Sequence, residues 1–195
     1  MPWVCQAIAA LLGAVPIYVA LAYGGPQLSA EIFGLHRIAS LVVIFVMLVT
    51  HPLWVEYSRW WASGQRDKIV IAFQRVLAVS TTAVLTFFIA VGFGYDEISK
   101  LIRQDLQLCG YVLAGAWAAL QAYRYLCTIL LLAVGSYALI CWAHVAVLFV
   151  LCLQTGVARD QDVNSIYAQL VLLELVLLVV HLPSVWKTLR RPEAP

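Results

Sequence analysis

The sequence predicts an all-α polytopic transmembrane bundle of about six helices, and three observations predict it. Apolar residues make up 64% of the 195 and charged residues only 11%, far from the roughly half-apolar, quarter-charged composition of a soluble domain. The mean hydropathy is +0.91. The apolar residues are also gathered into runs of about twenty, the length that crosses some 30 Å of hydrocarbon at 1.5 Å rise per residue. Residues 1–195 therefore read as a single integral membrane domain whose first partner is the lipid bilayer.

The first span is expected over 4–23, closed by Gly24, Gly25 and Pro26, with Pro16 as a kink. It lacks a basic leader and a good cleavage site, so it reads as a retained helix rather than a signal peptide. The second runs over 34–55 and gives way to Glu56–Trp61, an aromatic and basic belt at the membrane surface. A third span covers 68–93, followed by the polar stretch Tyr95–Gln107, which suits a short amphipathic surface helix.

The apolar region Leu108–Leu153 would make a helix of about 70 Å and must be interrupted. The polar cluster Gln121, Tyr123, Arg124 and Tyr125 places the break there, giving spans at 108–122 and 126–153, although no Gly or Pro marks that turn. The last span is expected over 165–186, stopping near Pro183 and the basic Lys187, Arg190 and Arg191.

Charge bias orients the bundle, because Lys and Arg in short loops favour the cytoplasm-like side. With six spans, seven basic residues (Arg59, Arg66, Lys68, Arg124, Lys187, Arg190, Arg191) fall on the inner side and four (Arg37, Lys100, Arg103, Arg159) on the outer. A five-span count would send the basic C-terminal segment outside. A bacterial inner membrane or an organelle inner membrane fits this bias.

The net charge of +2 comes from scattered residues and leaves no basic footprint for nucleic acid. None of Cys5, Cys109, Cys127, Cys141 and Cys152 forms a CxxC pair, and all lie in apolar stretches, so neither a metal knuckle nor a disulfide framework is expected. Nucleotide-binding and hydrolase motifs are also missing from the sequence, so no catalytic activity of its own is expected.

Candidate functional groups are the polar residues that lipid tolerates poorly. Glu174 is the one polar side chain in Leu170–Val180. A central acid costs about 2.5–3.5 kcal/mol on insertion and calls for a partner, a cavity or a proton path. Arg75, with Gln74, is read as the basic group inside a span and hence as its partner. All four histidines fall in or at the ends of apolar spans. His36 and His51 lie about 22 Å apart along one helix, and the six-span topology sets His144 level with His36 and His181 level with His51. Two such pairs are the arrangement that bis-histidine ligation of haem b would need.

Residues Leu35–Ser40 are similar to the His-Arg segment of succinate dehydrogenase membrane anchors, where it lies near a quinone. The likeness covers six residues. Phe33 stands where that family has serine and Ser40 where it has glycine, so no quinone-binding residue is carried over.

Gly110, Ala114, Ala118 and Ala122 form a small-residue stripe suited to close helix packing, within the chain or between copies. Three functions are consistent with these features. The leading expectation is a non-catalytic subunit of a respiratory or other energy-transducing membrane complex, packed against other membrane subunits or in a homo-oligomer. The second is a b-haem or quinone-linked electron-transfer anchor, and the third a small proton or ion transporter using Glu174.

Overall fold

The computed structural model describes Tyr18 and residues 25–102, 108–157 and 162–190. Apart from Tyr18, the expected first span at 4–23 lies outside the described residues. Those residues form seven helices: α1 (Gly25–Thr50), α2 (Leu53–Ala62), α3 (Arg66–Phe93), α4 (Tyr95–Ile102), α5 (Leu108–Ala133), α6 (Tyr137–Val157) and α7 (Val163–Arg190). Four of them, α1, α3, α5 and α7, are long and apolar enough to cross a membrane; α6 contributes a shorter apolar stretch, Tyr137–Val150. The chain is an all-α helical bundle of integral membrane type.

Local chemistry explains most boundaries. Helix α1 begins at Gly25, with φ at +68°, and Pro26 fills the first turn, where its missing N–H costs nothing. The α1–α2 corner falls at His51–Pro52. The polar Glu56–Trp61 belt is itself a short helix, α2, and Gly64 turns the chain into α3 with φ at +71°. The stretch after α3 forms the short α4 over Tyr95–Ile102, as its amphipathic pattern suggests. At the start of α7, Asp162 accepts a bond from the Ser165 amide at 2.8 Å, an N-cap arrangement.

One boundary differs from expectation. The break expected at Gln121–Tyr125 does not exist: α5 runs unbroken through Arg124 to Ala133, and the chain reverses at Val134–Ser136, where Gly135 takes φ +81°. A glycine free to adopt the left-handed region makes the turn, whereas polar side chains alone do not end a helix. The spans expected at 108–122 and 126–153 are therefore 108–133 and 137–157. The last span, expected over 165–186 with its stop near Pro183, Lys187, Arg190 and Arg191, is helical over Val163–Arg190 with Pro183 inside it; a single lost backbone bond is tolerated in a packed membrane helix.

Side-chain contacts fix the helix directions. Gly110 faces Val163, Trp117 faces Tyr167 at 6.0 Å and Arg124 meets Glu174, so α5 and α7 run parallel. Contacts of His36 with Trp117 and of His51 with Tyr125 align α1 with α5 as well. Helix α3 runs the other way, pairing Phe88 with Gly115 and Thr81 with Tyr123. Helix α5 is the hub, with 67% of its apolar window buried against 22–39% for the other three long spans. Its stripe of Ala114, Ala118 and Ala122 is almost fully buried within this one chain, so those residues serve packing here.

Lipid-type side chains cover the outside. Leu48, Ile89, Phe149 and Val179 are all more than half exposed, which a bilayer accommodates and water does not. Two hydroxyls inside α3 are satisfied one turn back: Thr81 donates to Leu77 O at 2.8 Å and Thr82 to Ala78 O at 3.0 Å. Basic Arg59, Arg66, Lys68, Lys187 and Arg190 gather at the end holding α2 and the C-terminus of α7, while Asp96, Glu97 and Asp162 lie at the other. The expectation of unpaired cysteines holds for Cys109 and Cys127. It fails for Cys141, which is disulfide-bonded, because tertiary packing rather than sequence spacing brings thiols together.

Candidate functional site

A charged cluster lies at the centre of the bundle, where α5, α6 and α7 meet. Unbroken α5 carries Arg124 some nine residues, about 14 Å, in from its end at Ala133. Helix α7 brings Glu174 and, two turns on along the same face, His181; α6 brings His144. All four are buried, His144 and His181 completely.

Arg124 holds Glu174 with two hydrogen bonds, Nε to Oε2 at 2.5 Å and Nη2 to Oε1 at 3.2 Å. This is the fork geometry that arginine offers a carboxylate. Its third edge reaches His144: Nη1 donates to Nε2 at 2.7 Å. An arginine can only donate, so Nε2 carries a lone pair and the proton of His144 sits on Nδ1. Nδ1 is 2.7 Å from the Ile140 carbonyl one turn back on α6, the acceptor that this tautomer requires. The geometry thus specifies a neutral His144 between a backbone carbonyl and a guanidinium.

His181 stacks beside His144 with ring centroids 5.6 Å apart and planes 45° from each other. Its environment is unusual, since neither ring nitrogen has a hydrogen-bond partner among the described residues. With both imidazoles neutral, the formal charges of Arg124 and Glu174 cancel. Such a pair survives in a low-dielectric interior when its donors and acceptors are matched.

The structure places the sequence candidates differently from their expected pairings. Glu174 pairs with Arg124, not with Arg75, which is exposed on α3. Arg124 escaped notice because the supposed break at 121–125 made it a loop residue. A signal was present: no Gly or Pro flanks it, whereas Gly135 lies ten residues on. The expected histidine pairs, His36 with His144 and His51 with His181, are not the ones formed. His144 lies against His181, His36 against Trp117 at 5.0 Å, and exposed His51 beside Trp54, with its Nδ1 3.4 Å from the Tyr125 hydroxyl.

These contacts test whether the histidines suit a haem. An axial ligand must present a free imidazole lone pair to the iron. His144 presents none, as its two nitrogens face Arg124 and the Ile140 carbonyl. The residues as arranged do not fit bis-histidine haem ligation. Among the described residues, no group of three or more His, Cys, Asp and Glu side chains is placed to hold a metal ion.

Two cavities elsewhere in the bundle are apolar. One of about 110 Å³ between α1, α3 and α5 is lined by Phe87, Phe88, Tyr95 and Tyr111 among others, and a groove of about 660 Å³ between α1 and α3 by Phe45, Val79 and Ala83. Neither includes a residue of the charged cluster. The fold and this site define an integral membrane bundle with a charge-compensated polar core. Comparison with known proteins adds no narrower assignment: no family model, curated protein or solved structure matches the chain.

Proposed function

We propose that this chain is a non-enzymatic, multi-pass subunit of a larger energy-transducing membrane assembly, and that its working part is the Arg124–Glu174–His144–His181 cluster, which passes a proton within the bilayer. The observation that carries the reading is His181: a wholly buried imidazole whose nitrogens have no hydrogen-bond partner among the described residues, one ring away from a histidine already bonded to an ion pair. Leaving such a group unsatisfied in the membrane costs free energy that an apolar side chain would not. Its retention is accounted for if it accepts protons.

An added proton leaves the cluster with one uncompensated charge, which the bilayer interior penalises by about 2.5–3.5 kcal/mol. That suits a relay better than a store. The Arg124–Glu174 pair supports such a relay, since the guanidinium that holds the carboxylate also fixes the tautomer of His144. The apolar lining of the cavities described above speaks for a subunit rather than an autonomous ion carrier, because an ion needs a hydrated path and a proton only a hydrogen-bond chain. The basic α2 end would then face the cytoplasm, matrix or stroma of a bacterial or organelle inner membrane.

The test uses the four histidines. Protein labelled with ¹⁵N-histidine gives four imidazole signal sets, assigned by single His→Gln substitutions. Reversible titration of the His181 signal between about pH 5 and 8, altered in Glu174→Gln, supports the relay. A His181 signal that stays neutral and unmoved throughout refutes it. Migration of the mildly solubilised chain as a free monomer refutes the subunit reading, and a reduced-minus-oxidised b-type α-band would restore the haem alternative.

A further inference from the structure

A second site lies at the opposite kind of location, on the lipid-facing surface beneath α2. Here a crevice of about 350 Å³ opens between α2 and α3. Its floor is Leu53, Ile71, Ala72 and Val76, with Trp60 at its edge, and two cations, Lys68 and Arg75, line it. Lys68 and Arg75 are seven residues apart, so they lie on the same face of α3 and about 10.5 Å apart in height. Both are exposed, and neither meets a carboxylate among the described residues.

The neighbouring charges are engaged elsewhere. Glu56 is bound to Arg59 at 3.2 Å, and Arg66 stacks over Trp61 at 4.9 Å. Asp67 is outside the crevice lining. Two uncompensated cations above an apolar floor, at the depth where a tryptophan marks the interface, are complementary to one kind of molecule: a negative phosphate carried on hydrocarbon. The crevice is at the basic end of the bundle, the side on which anionic lipids gather and attract juxtamembrane Lys and Arg.

We infer that the α2–α3 crevice binds an anionic phospholipid, its phosphate held between Lys68 and Arg75 and an acyl chain laid along Ile71, Ala72 and Val76. The shared chemistry of a free phosphate is not enough, because five of the seven lining residues are apolar and would gain nothing from an inorganic ion. Snorkelling of Arg75 towards the headgroups gives its charge an anion at the membrane surface without moving α3.

The experiment is native mass spectrometry of the full chain in detergent, titrated with phosphatidylglycerol and separately with phosphatidylcholine. One phosphatidylglycerol is expected to bind in preference to phosphatidylcholine. Each lost cation is expected to weaken binding roughly fivefold, so Lys68→Gln/Arg75→Gln weakens it about thirtyfold. Ala72→Trp, which fills the crevice while keeping both charges, is expected to abolish the preference. Arg190→Gln, whose guanidinium lies 3.8 Å over the Trp186 ring, is expected to leave it unchanged. Equal binding of the two lipids, an unaltered affinity in the double variant, or displacement by millimolar inorganic phosphate would each overturn the proposal. Arg75→Gln alone, at an exposed position, supplies the same reading should the double variant fold poorly.

Discussion

Removing one partner of the central ion pair should destabilise the bundle far more than removing both. In Glu174→Gln the Arg124 guanidinium keeps its charge and loses its counter-ion 2% exposed in the middle of α5. Breaking a buried pair from one side typically costs about 3–5 kcal/mol, and insertion of a lone central charge about 2.5–3.5 kcal/mol sets the same scale. Arg124→Leu strands the carboxylate instead and also deprives His144 Nε2 of its donor. In Arg124→Leu/Glu174→Leu no charge remains, and the residual loss is that one unsatisfied imidazole nitrogen, about 1–3 kcal/mol. Two single variants summing to roughly 6–10 kcal/mol against a double variant near 2 kcal/mol give a coupling above about 4 kcal/mol. Unfolding of dodecylmaltoside-solubilised protein by added sodium dodecyl sulfate, followed by far-ultraviolet circular dichroism, measures each value. Additive losses, or a Glu174→Gln cost below about 1 kcal/mol, would mean that Glu174 is not the counter-ion of Arg124.

Three further outcomes follow from local geometry. A Cβ at Gly115 would stand 2.5 Å from Phe88 Cε1, so Gly115→Ala should cost about 1–3 kcal/mol through overpacking, and Phe88→Leu in the same chain should recover most of it in the same unfolding assay. Gly135 holds φ +81° in the α5–α6 turn with open space around it, so Gly135→Ala should lose about 1 kcal/mol from backbone strain alone. Asp162→Ala should lose about 1 kcal/mol at neutral pH with the N-cap of α7. Hydrogen bonds from Ser165, side chain and amide, hold the Asp162 carboxyl below the usual carboxylate range. A depressed folded-state value stabilises above the unfolded value near pH 4 and stops doing so as pH falls through the folded one; the difference between wild type and Asp162→Ala should therefore shrink on acidification, and a difference that persists unchanged at pH 2 would refute the cap.

The helical membrane class was legible because lipid leaves few ways to satisfy a backbone, and runs of twenty apolar residues announce one of them. The amphipathic α4 and the aromatic belt at Glu56–Trp61 were legible for similar reasons, since each depends on composition within a few residues. The core cluster was half legible. Glu174 drew notice as a lone acid in an apolar span, but its partner depended on where α5 ends. Polar content at 121–125 suggested a turn, while the residue able to make one, Gly135, lay ten positions further on. Shifting that break by three helical turns moves Arg124 from the surface to the interior. The histidine pairings failed for the same reason: with α6 starting at Tyr137, His144 lies two turns in from the α2 end, level with Arg124 and against His181, whereas His36 is level with Trp117.

Arg124 and Arg75 show how one residue type, placed in two membrane helices, is neutralised in two ways. Arg124 lies about 14 Å below the end of α5, wrapped by α6 and α7, where its side chain cannot reach the headgroups and the compensating anion has to come from the protein. Glu174 supplies it, and the resulting bond ties α5 to α7 in a fixed register, with His144 adding α6. Arg75 lies on the open face of α3, with Lys68 two turns nearer the surface and apolar side chains between them. No carboxylate comes to it from the protein among the described residues, and none is needed where lipid phosphate lies within reach. A protein-supplied anion fixes structure and creates a site whose tautomers are set by bonding. A lipid-supplied anion exchanges with the bilayer and makes affinity depend on membrane composition. Substituting Arg75 should therefore alter lipid preference while leaving unfolding in a zwitterionic micelle nearly unchanged, whereas substituting Arg124 should destabilise the bundle in any detergent.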